Sequence, residues 1–342
     1  MKVFLARQWF LIGLAVVLAL GFTCWPTLIV WAKWFPEKLV VASVLFLMSW
    51  SLDSHAMWRA ISRPAAAALG IAVNFIVVPL LALAVTWTIA HWLPEPLSRG
   101  LCLAAALPCT LASAAVWTRR AGGNDAVALV VTLVTNVSCF LVTPLLLWLM
   151  TGREVAVADG ETLSGPWRLV LSLAVVAVLP MVVGQLLRIP RPLAGWATAH
   201  KSPLSIVCLF GILMMVLLGA VNSASELHAT NVEATLGIDV WLLLIIAAGV
   251  MHTSALIIGF GAARVLGIAR ADAIAVGFAG SQKTLMIGLH IALTQKVGIG
   301  VLPLVVYHVL QLMIDTAAAD FLRRRSTLRA ATHADEDAAA VT

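Results

Sequence analysis

The residues able to do chemistry are concentrated in two short stretches within apolar blocks. Gly277-Phe278-Ala279-Gly280-Ser281-Gln282-Lys283-Thr284 sets two glycines and then four polar residues in the middle of a block spanning 271–294. Leu107-Pro108-Cys109-Thr110-Leu111-Ala112-Ser113 sets a proline and two hydroxyls in the middle of another, 97–118. Proline removes one backbone hydrogen bond and disfavours helix in the residue before it. Backbone groups freed in this way need protein, water or a ligand as partner. A helix restarting after Pro108 has Thr110 or Ser113 to cap it, and one restarting after Gly280 has Ser281. Each new helix start carries about half a positive charge. Lys283, when protonated, adds a full one. Two such ends meeting suit an anion: a carboxylate, sulfate or phosphate.

These residue types also have structural readings. Pro108 alone is a kink, and a glycine pair is close helix packing. Matched breaks, one of them carrying Ser-Gln-Lys-Thr, point instead to backbone lining a cavity. A lysine in an apolar block commonly snorkels to the surface. Lys283, however, lies 13 residues from Arg270 and 13 from Lys296. That is about 20 Å of helix in either direction, against a side-chain reach of about 6 Å. Its amine must meet water, a backbone carbonyl, Asp315 or an anionic ligand, or else give up its proton. Tyr307, His308, Gln311 and Asp315 follow in a later block, with His308, Gln311 and Asp315 on one helical face. Asp315 reads either as a site group or as an acid reaching cytoplasmic water. Asn74 with Pro79, Asn136 and His252 read as packing contacts or as site groups. His290 reads as structural.

The elements that must position these residues are membrane helices. Of 342 residues, 62% are hydrophobic and 11% charged, against about 25% charged in an average soluble domain. A soluble globular chain, a disordered chain, a collagen-like fibre and a disulfide scaffold are excluded. The five cysteines, Cys24, Cys102, Cys109, Cys139 and Cys208, lie in apolar blocks with no CxxC spacing and read as small apolar residues. The net charge of +6 does not indicate nucleic acid, because the charges sit in short loops. Ten blocks are long enough to be spans: 10–31, 38–52, 64–90, 97–118, 124–150, 166–187, 202–222, 239–263, 271–294 and 298–321. The segment 53–59 reads as an interfacial helix or loop anchored by Trp58.

With ten spans both termini share one side. Fifteen Lys and Arg fall on that side and six on the other, with Lys283 inside a span. The excess predicts cytoplasmic termini. The expected organisation is a first five-helix repeat over 1–150, an extracytoplasmic linker over 151–165, a second repeat over 166–325 and a disordered tail over 326–342. Five spans per half means that the halves enter the membrane from opposite sides. This is the inverted-repeat plan of many transporters. The two breaks fall in span 4 and span 9, the fourth of each half.

On these residues the chain resembles the bile acid:sodium symporter superfamily, in its SBF-like branch. The carrying motifs are Pro108-Cys109-Thr110-Leu111-Ala112-Ser113 followed by Ala121-Gly122-Gly123-Asn124, and Gly280-Ser281-Gln282-Lys283-Thr284-Leu285. The resemblance covers essentially all ten spans. It implies an all-α fold of two inverted five-helix repeats, with spans 4 and 9 unwound and crossing at the midplane. It further implies a panel and a core domain that alternate access. Ser113, Thr132 and Gln282 match sodium ligands of sodium-coupled members. Ala114 and Ala128 stand where an asparagine and a hydroxyl are found, and Phe278 stands where the essential carboxylate is found.

The expected function is therefore secondary active transport of a small organic or inorganic anion, without sodium coupling of the family type. Coupling is to protons through Lys283, or absent. The pathway residues are Pro108, Thr110, Ser113, Asn124, Thr132, Ser281, Gln282, Lys283, Thr284, His308, Gln311 and Asp315. Two alternatives stay open: a sodium-coupled bile acid or organic anion symporter with a modified ion site, and a non-transporting membrane regulator. No paired-aspartate motif, HExxH, Ser/His couple or Walker A motif is present, so neither an intramembrane enzyme nor an ATP-driven pump is expected. No cofactor and no nucleic-acid partner are expected. The expected location is the plasma membrane, the inner membrane of a bacterium.

Overall fold

The computed structural model describes residues 2–52, 64–111, 113–152, 166–230 and 237–340. The expected interfacial segment at 53–59 and all but the first two residues of the 151–165 linker lie outside them. Every regular element among the described residues is helical. In chain order these are α1 (Lys2–Thr23), α2 (Trp25–Ala32), α3 (Glu37–Ser51), α4 (Pro64–Thr88), α5 (Glu95–Ala106), α6 (Ser113–Arg120) and α7 (Asp125–Thr151). Then come α8 (Pro166–Leu173, extended by Ala174–Val178 and Leu179–Leu186), α9 (Arg191–Ala199), α10 (Lys201–Thr230), α11 (Ile238–Val265), α12 (Arg270–Ser281), α13 (Leu285–Thr294) and α14 (Val301–Ala340).

Six of the described helices are long and apolar enough to cross a membrane, or seven if α1 and α2 count together. Helices satisfy their own backbone groups and so can stand in lipid. Their outward sides carry exposed Ile76, Leu80, Leu145, Leu149, Ile246 and Ile257. Three expected spans do not pass that length test unbroken. Block 38–52 is the 15-residue α3, and blocks 97–118 and 271–294 are each two helices. The span expected at 10–31 is two helices, α1 and α2. The chain turns by 99° between α1 and α2. Cys24 leaves helical geometry, and Pro26 opens the next helix where its missing N–H costs nothing. The tail also differs from expectation: α14 runs on as helix to Ala340. Its alanine-rich sequence has high helix propensity.

The helices sort into two groups by contact. One holds α1, α2, α3, α8, α9 and α10; the other holds α4 to α7 and α11 to α14. They meet along α7 and α8, and where α10 passes α13 and the short turn at Gly298–Gly300. One end of the second group is tied by polar pairs. Arg120 clasps Asp320 at 2.7 and 2.8 Å, Arg119 holds Asp125, and Asn124 Nδ2 donates to Asp272 Oδ1 at 2.7 Å.

Candidate functional site

The site forms where two interrupted segments touch. Helix α5 ends at Ala106, Leu107 is extended, and helix resumes at Ser113. Helix α12 ends at Ser281, Gln282 is extended, and helix resumes at Leu285. The amide of Thr284 donates to the Pro108 carbonyl at 2.9 Å, joining the two interruptions directly. The Gln282 side chain is a second bridge. Its Oε1 accepts from Thr110 Oγ1 at 2.5 Å and from Ser113 Oγ at 2.8 Å. Thr110 Oγ1 in turn accepts from the Ala114 amide at 3.3 Å, near the start of α6.

Ser281 does not take the capping position expected of it. It is the last residue of α12, and its hydroxyl donates back to the Phe278 carbonyl at 3.3 Å. Gly280 before it stays helical, and α4 packs closely on it. A Cβ there would stand 2.6 Å from Val73 Cγ1. The chain leaves the helix only at Gln282, where outside partners wait. Thr284 becomes the N-cap of α13 but makes no side-chain cap bond.

Lys283 is fully buried and its amine is enclosed by oxygen. Nζ donates to the Asn74 carbonyl at 2.7 Å, to Asn74 Oδ1 at 3.2 Å and to the Leu107 carbonyl at 2.8 Å. It also stands 5.9 Å from the centre of the Phe75 ring. Three acceptors match the three N–H groups of an ammonium. The Asn74 carbonyl is free for this because α4 widens into a π turn at Val73–Val77. There the Val78 amide bonds to the Val73 carbonyl, and the next residue, Pro79, has no N–H to offer. The Leu107 carbonyl is free because the helix stops before Pro108. The Asn74 amide also donates to the carbonyls of Gly280 (3.2 Å) and Gln282 (3.0 Å). One residue thus holds the end of α12 and the lysine after it.

The face of α14 completes the second interruption. Gln311 clips the Lys283 backbone, accepting its N–H and donating to its carbonyl, both at 2.9 Å. His308 Nδ1 lies 2.9 Å from the same Gln311 amide nitrogen. Tyr307 donates to the Ser281 carbonyl at 3.0 Å. Asp315, with no exposed surface, accepts from Gln282 Nε2 and pairs with His252 of α11 at 2.8 Å. It meets no cytoplasmic water in this arrangement, nor does it pair with Lys283.

Beyond its links to the second interruption, the first is held by side chains of α7. Thr135 accepts the Cys109 amide (3.2 Å), Asn136 donates to the Cys109 carbonyl (2.7 Å), and Thr132 donates to the Thr110 carbonyl (3.3 Å). Thr143 donates to Ala106 at the end of α5. Of the three residues matching sodium ligands, Ser113 and Gln282 bond to each other, while Thr132 turns to backbone. Asn124 sits apart from the crossing as the N-cap of α7, accepting from the Ala126 amide. Among the described residues, no cluster of three or more His, Cys, Asp and Glu side chains could hold a metal ion. A cavity of about 340 Å³ opens between the two helix groups. Ala32, Glu37 and Asn222 line one wall, and Leu293, Lys296 and Val301 line the other.

Asn74, His252 and Tyr307 are more central than their sequence positions suggest. The signal was present as a polar side chain in the middle of an apolar helix, but the partner was not. Apolar helices long enough to cross a membrane, with buried polar side chains gathered where two interrupted segments meet, are features of membrane transport proteins. The chain matches the SBF-like CPA transporter family over residues 8–324 and belongs to it. It is 30% identical over 323 residues to an uncharacterized protein of Pseudomonas aeruginosa, covering 92% of each chain. It is 24% identical over 327 residues to sodium/bile acid cotransporter 7 of Xenopus tropicalis, covering 91% of this chain and 90% of the relative. The rat protein of that name is 26% identical over 225 residues, 64% of this chain and 63% of the relative.

Proposed function

We propose that this protein is a secondary active transporter of a small anion, working by alternating access between its two helix groups. The observation that carries the reading is the junction of the two interruptions, through the Thr284–Pro108 bond and the Gln282 bridge. Two helix starts, α6 and α13, open from that junction. The first amides of α13 have no side-chain cap, which leaves donors for an anion. In this reading the chain has ten spans in two inverted repeats, the interruptions lie near the midplane, and both termini are cytoplasmic in a plasma membrane. The contact pattern supports the repeat: each half gives its first two spans to one group and its last three to the other. The cavity with Lys296 and Glu37 is the approach between the moving groups.

Sodium is not the driving ion in this reading, because Lys283 already supplies a cation at the junction. Its amine fills an oxygen cage of the kind a monovalent cation uses. Relatives named for bile acid make taurocholate the first probe, with citrate and sulfate beside it. The test is uptake by the purified protein in liposomes under an imposed proton gradient. Uptake of at least one probe above protein-free liposomes is expected. Binding of a probe without any flux would favour the regulator reading.

A further inference from the structure

The buried pair of His252 and Asp315 is positioned to do something that neither helix packing nor anion binding requires. Both residues have no exposed surface. His252 Nε2 lies 2.8 Å from Asp315 Oδ1, and its Nδ1 lies 3.3 Å from the Ser281 carbonyl. Both ring nitrogens therefore face oxygen. A carbonyl can only accept, so a bond to Ser281 needs a proton on Nδ1. The short contact to Oδ1 needs a second proton between the two atoms. Whether that proton is written on the imidazole or on the carboxyl is a choice of microstate for one coupled pair. Without it, a neutral ring has one N–H for two acceptors, so a nitrogen lone pair faces either the carboxylate or the Ser281 carbonyl in a dry interior, and that contact would separate.

That separation would be felt at the junction. Asp315 Oδ2 accepts from Gln282, and Gln282 holds Thr110 and Ser113 across the crossing. The other ring nitrogen of His252 rests on Ser281, the last residue of α12. Helix α11 contributes the histidine and α14 the aspartate, so losing the proton loosens the seam that clamps Ser281 and Gln282. We infer that His252 and Asp315 form the proton-carrying switch of this protein, and that release of their shared proton opens the α11–α14 seam around the second interruption. The inference rests on the transport reading only for its purpose, which is to couple a proton to the solute. Lys283 is the fixed cation beside it. With the proton present, the pair is neutral and the centre keeps the lysine's positive charge. With the proton gone, the centre has no net charge. An anion is therefore held best when the proton is present, so proton and anion travel the same way. One proton enters the pair from one aqueous side and the same proton leaves to the other; no electron moves.

Few other titratable groups face the pair. From α14, Tyr307 meets the His252 ring edge-on at 5.7 Å between centroids, and His308 is occupied with Gln311. From the interruptions come Lys283, bound to Asn74 and Leu107, and Cys109, beside Thr132. Helix α12 carries Asp272 at its far end, on Asn124. Helix α6 carries Arg119 and Arg120, paired with Asp125 and Asp320. His290 of α13 lies against Ser172. Helix α4 brings no titratable side chain between Pro64 and Thr88.

The test uses the full chain in lipid nanodiscs and needs no solute. In protein labelled with ¹⁵N-histidine, the His252 signals are identified among those of eight histidines by their loss in His252→Gln. Titration from about pH 5 to 9 should show a ring protonated at both nitrogens, or sharing a proton with the carboxyl, that loses one proton in a single step. Asp315→Asn should abolish that state. Hydrogen exchange of 281–285, corrected for intrinsic rate, should accelerate at least tenfold across the same step in the wild type. It should be independent of pH in Asp315→Asn. A His252 that stays a neutral single tautomer throughout would overturn the inference. So would exchange that ignores its titration. If Asp315→Asn does not fold, the wild-type titration and exchange decide alone. Absence of flux for taurocholate, citrate and sulfate would count against the transport reading, because neither of these measurements uses a solute.

Discussion

The two interrupted segments face the same problem and solve it with different chemistry. Each leaves backbone donors and acceptors unpaired inside an apolar protein, at a cost of about 1–3 kcal/mol for every group left so. At 107–111 most partners are neutral side chains of the neighbouring α7, Thr132, Thr135 and Asn136, and the Leu107 carbonyl accepts from Lys283. At 281–284 the partners come from three distant helices, as Asn74 of α4, His252 of α11, and Tyr307, Gln311 and Asp315 of α14, and the segment carries its own Lys283. The first is held mainly by local hydroxyls and amides, with Lys283 touching only its Leu107 carbonyl. The second has its shape tied to charge. A moving site benefits from this division, because one half holds the frame while the other can change state with a proton.

Removing the lysine should break this contrast most severely. Lys283→Met keeps the volume and deletes the donor to three buried oxygens. The loss should be about 3 kcal/mol or more, seen as a fall of roughly 10 °C in apparent Tm in detergent. Transport should vanish with it. Unchanged Tm and unchanged flux would show that the oxygen cage around Nζ does not hold the second interruption, and the two regions would then be alike.

The two asparagines give a finer comparison, since each supplies one amide to one interruption. Asn136→Leu removes the bond to Cys109 and should cost about 1–2 kcal/mol while leaving the pH profile of uptake in place. Asn74→Leu removes bonds to Gly280 and Gln282 together with one acceptor of Lys283. It should cost about twice as much and also shift the pH profile. The profiles of uptake in the two variants, normalised to protein amount, check this. Equal profiles would mean that the charged groups do not act chiefly through the second interruption.

How far these features could be read from the sequence follows the physics of each. Pro108 and the run Ser281-Gln282-Lys283-Thr284 announce interruptions, because a breaker or a polar cluster in an apolar block has few other uses. The impossibility of snorkelling at Lys283 also followed from chain distance. Its partners did not: Asn74 is 209 positions away, and nothing local to either residue encodes the meeting. The free carbonyl of Asn74 depends on Pro79, five residues later, through a π turn that periodicity does not announce. The placement of Ser281 failed for a related reason. A glycine before it reads as a break, whereas Gly280 is needed for the close approach of Val73. The turn between α1 and α2 was hidden because apolar residues continue through it.

The smallest expected effect is the response to sodium, and it sharpens the comparison from the other side. A site for a hard monovalent cation needs several oxygens free to turn inward, commonly with a carboxylate among them. At the crossing the oxygens are committed. Gln282 Oε1 accepts from Thr110 and Ser113, Leu107 and Asn74 accept from Lys283, and Thr132 gives its hydrogen to Thr110. Asp315 is the one carboxylate bonded at the crossing among the described residues, and it is engaged by His252 and Gln282. Ala114, Ala128 and Phe278 are buried apolar neighbours and contribute no ligand. Replacing sodium by potassium or choline should therefore change anion uptake by less than about twofold, a difference below 0.5 kcal/mol by the equilibrium constant relation. The measurement is initial uptake in proteoliposomes at fixed pH and ionic strength. A steep sodium dependence would mean that a sodium ion displaces one of these bonds. The first to test would be Gln282 with Ser113, because that pair joins the two interruptions.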